Sequence, residues 1–210
     1  MEALYTVALA ESQRQSETLG LRWSDINVDV GTFSVQRTLQ RVNGSFFFYP
    51  PKTLQSRRTI AFPELIATAL RQHLKRQLEE REALGPACEG DAWGALVFAD
   101  PMGRPLTSFH VSRRFNKLLN HAGLPNMRYH DLRHGAASIM AAQGVPARTA
   151  MEILGHAQIS TTMNIYTHIA PELQREATER VAEALWPEFR NGLVSNLVSN
   201  PALKVIIDPN

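Results

Sequence analysis

The stretch HDLRHGAASIMAAQGVPARTAMEILGHAQISTTMNIYTH, from His130 to His168, constrains this chain more than any other feature. His130 and Arg133 lie three apart in a segment of helical periodicity, so both project from one face. Leu154-Gly155-His156 follows at a predicted helix end. Ten residues after His156 comes Tyr166, within Ile165-Tyr166-Thr167-His168. Taken singly, each residue has a plain structural reading. A tyrosine commonly buries its ring and wets its hydroxyl, and a histidine at a helix end interacts with the dipole. In this order and spacing, two histidines, an arginine and a tyrosine can all meet at one phosphate. His130 and His134 also form a His-x-x-x-His pair, which on a helix can bind zinc. Arg133 argues against that, because it would crowd a dication with a fixed positive charge, so no metal is expected.

The stretch resembles the second half of the catalytic domain of the tyrosine recombinases, the phage-integrase family. Members share His-x-x-Arg, then Leu-Gly-His, then a nucleophilic tyrosine, with an earlier arginine and a lysine completing the site. Both earlier parts have counterparts. Arg14-x-x-Glu17, followed by Leu21-Arg22-Trp23-Ser24-Asp25-Ile26, resembles the first arginine motif. Pro51-Lys52-Thr53 with Ser56-Arg57-Arg58 resembles the hairpin whose lysine reaches the cleavage point. One departure is visible: many relatives carry Thr-Gly just before the arginine motif, where this chain has Ala10-Glu11-Ser12-Gln13. A second is Gly135, at a position usually held by threonine or serine.

The resemblance implies a mixed α+β fold, mainly helical, with a small antiparallel sheet near the N-terminal third. Read in order, the residues agree. A first helix over Leu4 to Leu9 ends near Glu11-Ser12-Gln13, and Ser16 is placed to cap a second from Glu17 to Trp23. Thr32 to Leu39 reads as a strand, Asn43-Gly44 as a hairpin turn, Phe46 to Tyr49 as a second strand and Arg58 to Phe62 as a third. A helix from Glu64 to about Leu84 carries Leu65, Ile66, Ala69, Leu70, Leu74 and Leu78 at helical spacing. Further helices are expected over Ser108–Ala122, Tyr129–Gln143, Pro146–Leu154, Thr161–Thr167 and Pro171–Leu185. Gly144 and Gly155 are expected to act as C-terminal stops.

Residues 1–187 are expected to form the catalytic domain and residues 188–210 a tail. There Val205-Ile206-Ile207 could pair as a strand with a neighbouring molecule. The family's N-terminal clamp domain has no counterpart here, so weak, salt-sensitive DNA binding is expected of this piece alone.

Charge adds to this. The chain of 210 residues carries a net charge of only +2, so the distribution must carry any case for nucleic acid. No acid occurs between Asp100 and Asp131, whereas Arg104, Arg113, Arg114, Lys117 and Arg128 do. With Arg57 and Arg58 these form the candidate phosphate-tracking surface. One cysteine, Cys88, excludes an internal disulfide, and no apolar run is long enough to span a membrane. A cytoplasmic setting fits.

The chemistry explains the residue types. A free tyrosine has a pKa near 10, so roughly one in a thousand is phenolate at neutral pH, a cost of about 4 kcal/mol. The diester under attack is itself anionic, and its transition state gathers more negative charge. Many nucleases answer with metals held by carboxylate clusters. Here Arg14 and Arg133 can answer instead, because guanidinium forks match phosphate oxygens and stay charged.

By resemblance, Tyr166 attacks phosphorus to form a 3′-phosphotyrosyl link, and Lys52 protonates the leaving 5′-oxygen. His130 exchanges the tyrosine proton, and His156 donates to a non-bridging oxygen. No metal or nucleotide cofactor is implied. The partners implied are a double-stranded target site, other protomers (a tetramer on DNA in the full-length protein) and accessory DNA-bending proteins. A DNA-binding relative without catalysis and a topoisomerase of the related tyrosine class are the alternatives.

Overall fold

The computed structural model describes residues 2–51, 56–167 and 170–185. It divides into two units, residues 1–166 and 167–210. In the second unit the described part is one helix, Ala170–Leu185. Lys52, His168 and the tail strand Val205–Ile207 lie outside the described residues.

The first unit is built on α1, Glu2–Glu11. Ala3, Leu4, Val7 and Ala8 recur at helical spacing and are all buried. That face packs against α3, Glu64–Leu84, and α5, Tyr129–Ala142. Burying each of Leu4 and Val7 contributes about 1.5–3 kcal/mol. Tyr5 continues the packing sideways, with its ring 5.4 Å from Phe115 and its hydroxyl donating to the Val111 carbonyl at 2.9 Å. Both partners lie on α4, Ser108–His121, whose Thr107 cap accepts the His110 N–H.

The helix α2 is shorter than the sequence suggests, Gln15–Leu19, and its cap is Arg14 rather than Ser16. The Glu17 carboxylate accepts the backbone N–H of Arg14 at 3.2 Å, which fills one of the donors a helix start leaves open. The helix stops early because the following residues find other partners. Leu21 accepts the Val97 N–H at 2.9 Å, and the Trp23 N–H donates to Ala95 at 3.1 Å.

The strands form two sheets rather than one. β1 (Ile26–Asn27), β2 (Thr32–Val35) and β5 (Arg58–Ala61) make one in the order β1-β2-β5. β3 (Thr38–Val42) and β4 (Ser45–Tyr49) make the other. The expected single strand from Thr32 to Leu39 breaks at Gln36-Arg37. A straight strand would aim Arg37 into the core with Phe33 and Val35, since alternate residues share a face. The break lets Arg37 pair with the Asp25 carboxylate while Leu39 still buries. Asn43 and Gly44 both take positive φ, 49° and 86°, the geometry that closes a two-residue hairpin.

After α5 come α6, Ala147–Leu154, and α7, Ile159–Thr167. A small second core of Ala137, Ala150 and Leu154 joins α5 to α6, with Met140, Val145, Ile165 and Tyr166 against it. No helix among the described residues is long and apolar enough to cross a membrane.

Candidate active site

Glu17 anchors the first half of the site. Its carboxylate is 2% exposed and accepts the Arg14 guanidinium at 2.7 Å and the Arg58 guanidinium at 3.2 Å. Burial pushes this carboxyl up, but the charges of Arg58 and Arg14 outweigh it and hold it below its ordinary range. Arg58 was expected on the phosphate-tracking surface, and the structure corrects this. Its side chain is 8% exposed, and it donates to the Ile153 carbonyl at 3.0 Å and the Ser56 carbonyl at 3.2 Å besides Glu17. It is a brace between β5 and the end of α6.

Gly155 ends α6 in the left-handed region, φ 64°, which suits glycine. A Cβ there would also meet the Arg58 guanidinium at 2.6 Å. Both the turn and the close approach therefore make a side chain costly there. The Gly155 carbonyl in turn accepts Arg14 Nη2 at 3.2 Å, across 141 residues of sequence. Arg14 thus has one guanidinium nitrogen on Glu17 and another on the backbone immediately before His156.

Arg133 enters from α5. It is 4% exposed, and its Nη1 donates to the Ser12 carbonyl at 2.7 Å. Among the described residues, its Nη2 is buried without a hydrogen-bond partner. Burial, then the charges of Arg14 and Arg58 against the help of Glu17, brings its pKa down to about 9. It stays protonated at neutral pH. Within the run that stands where many relatives have Thr-Gly, Ser12 adopts φ 54°, a left-handed conformation that strains a residue with a side chain.

His156 is buried beside these cations. Burial, followed by the charges of Arg133, Arg14, His134 and Arg58, lowers its pKa to about 4. Its Nδ1 lies 2.9 Å from Thr162 Oγ1. His130 is exposed at the start of α5, with its ring edge-on to His134 at 5.0 Å between centroids. Burial, then His134 and Arg133, lowers its pKa as well. Among the described residues, no group of three or more potential ligands could hold a metal ion.

Tyr166 is near the end of α7. Its ring packs on the second core, and its hydroxyl donates to the Val145 carbonyl at 2.9 Å. Burial raises its pKa, and no cation lowers it. The phenol is therefore docked on a main-chain carbonyl in this conformation.

The remaining basic residues sort cleanly. Arg57, Arg113, Arg114 and Lys117 are exposed. Arg104 and Arg128 are exposed too, but they pair with Asp100 and Asp131, the two acids that bound the acid-free interval. Among the described residues, the three cations of α4 have no ion-pair partner. The sequence reading missed the acceptors Ser12, Gly155 and Val145, which act through backbone carbonyls and leave no residue-type signal. It also missed Thr162, whose hydroxyl is indistinguishable by sequence from that of Thr161.

Residues 1–172 match the sequence model of the phage integrase family. The chain belongs to that family. Among curated members, this integrase-family chain is 34% identical over 188 residues to a tyrosine recombinase XerC-like protein of Caldanaerobacter subterraneus, covering 85% of this chain and 48% of the relative. It is 27% identical over 184 residues to the ICEBs1 integrase of Bacillus subtilis, covering 88% and 49%. The chain thus spans about half the length of these relatives. Among solved structures, it is similar to the Tn1549 transposon integrase in complex with transposon right-end DNA, at a TM-score of 0.73 and 24% identity, covering 86% of this chain and 58% of that one. It is also similar to XerA recombinase, at a TM-score of 0.62 and 23% identity, covering 85% and 55%. These two likenesses show the recombinase catalytic fold.

Proposed function

We propose that this chain is the catalytic part of a site-specific DNA recombinase or integrase. It cuts and rejoins DNA through a 3′-phosphotyrosyl link, without metal or nucleotide cofactor. The observation that carries the reading is the convergence of Arg14 and Arg133 beside His156, each guanidinium held by a backbone carbonyl from a distant part of the chain. The Nη2 of Arg133, without a partner among the described residues, is a buried charged donor of the kind that costs stability unless a ligand takes it. A phosphate oxygen fits it. Two fixed positive charges then stabilise the transition state, each donor being worth about 3 kcal/mol in the barrier.

Tyr166 leaves the Val145 carbonyl, its oxygen bonds to phosphorus, and its proton passes to His130. The bond from phosphorus to the 5′-oxygen breaks, and that oxygen takes a proton from Lys52. A 5′-hydroxyl from another strand reverses the sequence. Arg57, Arg113, Arg114 and Lys117 are the residues proposed to track phosphates. The expected partners are a duplex target site and further protomers, with accessory bending proteins, in the cytoplasm.

The test uses a nicked duplex whose short leaving strand diffuses away after cleavage. The parent chain should accumulate a covalent protein–DNA adduct, and Tyr166→Phe should form none. A phenylalanine variant that forms the adduct as readily as the parent would overturn the assignment. Binding without any adduct from the parent would favour a DNA-binding relative without catalysis.

A further inference from the structure

Among the described residues, the His156 ring makes one hydrogen bond, and that bond has a direction. A neutral imidazole carries a single proton, on Nδ1 or on Nε2. The phosphate oxygen proposed to face it can only accept, so the ring must present an N–H. Thr162 lies on α7, fully buried, 2.9 Å from Nδ1. A helical threonine commonly gives its proton to a carbonyl one turn back. Thr162 makes no such bond: among the described residues, its hydroxyl has His156 as its one hydrogen-bond partner. A buried O–H that donates to nothing is destabilising. The hydroxyl proton is therefore spent on Nδ1, Nδ1 is the acceptor, and the ring proton sits on Nε2. Burial among cations keeps the ring from taking a second proton at neutral pH.

We propose that Thr162 is a positioning residue that locks His156 in the Nε2–H tautomer and so aims a donor at the scissile phosphate. The inference rests on the phosphoryl-transfer reading for the phosphate, but the tautomer itself does not depend on it. Thr162 touches no substrate and acts only through the ring. It also ties the helix bearing Tyr166 to the turn after α6, four residues before the tyrosine itself.

Two measurements test it. The first is nitrogen NMR of the imidazole in the full chain without DNA, which distinguishes protonated from unprotonated ring nitrogens. The parent and Thr162→Ser should show Nε2 protonated and Nδ1 bare, whereas Thr162→Val should show the proton distributed over both. The second is single-turnover cleavage of the nicked duplex. Thr162→Val should be slower by on the order of tenfold to a hundredfold, less than the loss of a whole donor. Thr162→Ser should stay within a few-fold of the parent, and Thr162→Val should add nothing in a His156→Ala background.

A bare Nε2 in the parent would overturn the proposal, as would equal losses in the serine and valine variants. If the parent shows the predicted tautomer but never forms an adduct, the functional reading fails while the hydrogen-bond assignment stands.

Discussion

Arg58→Met separates what this residue does from what its place in a basic run suggests. The guanidinium donates to Glu17, Ile153 and Ser56 and is almost wholly buried. Methionine keeps the reach of the side chain and removes all three bonds. Breaking a buried ion pair by deleting one partner costs about 3–5 kcal/mol. Glu17 retains Arg14, whose side chain is 38% exposed, so the lower end applies, about 3 kcal/mol. For a chain of this size that is a fall in Tm of about 6–12 °C.

The pH dependence should change too. Glu17 has a lowered folded pKa, so its contribution is present above the ordinary carboxylate range and lost as pH falls through the folded value. With Arg58 gone, burial is opposed by Arg14 alone, and the drop in stability between neutral pH and pH 3 should shrink. Urea unfolding at several pH values reads both effects. If Arg58 instead tracked phosphates, stability would hold within about 1 kcal/mol and the salt slope of DNA binding would fall by about 1. That pair of results would refute the brace.

Ser12→Gly should stabilise the chain by about 1 kcal/mol, because it relieves a left-handed serine and removes a buried hydroxyl that has no partner among the described residues. A rise in Tm of about 2–4 °C is expected with cleavage unchanged, and a fall would contradict the strain. The His156 ring should titrate with a midpoint near pH 4 by NMR. Since the unfolded ring takes its proton at an ordinary pKa near 6.5, its contribution to stability is complete above that value and declines as pH falls toward 4. A midpoint at or above 6 would mean the ring is neither buried nor beside the cations.

Most of the helical order was legible because each segment keeps one apolar face: Ala3, Leu4, Val7 and Ala8 announce α1 without help from the rest. The candidate site residues stood out for another reason. Arg14, Arg133, His156 and Tyr166 are of the few types suited to metal-free phosphoryl chemistry, and they occur at spacings that resemble those of a known family. What stayed hidden depended on tertiary partners. Nothing local shows that Arg37 must turn aside to reach Asp25, or that Arg58 goes inward while Arg57 stays out. The docked tyrosine was equally invisible, since the Val145 carbonyl is a group every residue has.

The two tethers of the cradle end on the main chain, at the carbonyls of residues 12 and 155. An oxygen of that kind survives any substitution that leaves the local bend intact. The identity of residue 12 can therefore drift while the mooring is kept. An insertion or deletion in either bend would be far more damaging than any change of side chain at residue 12, because it would move the mooring point itself.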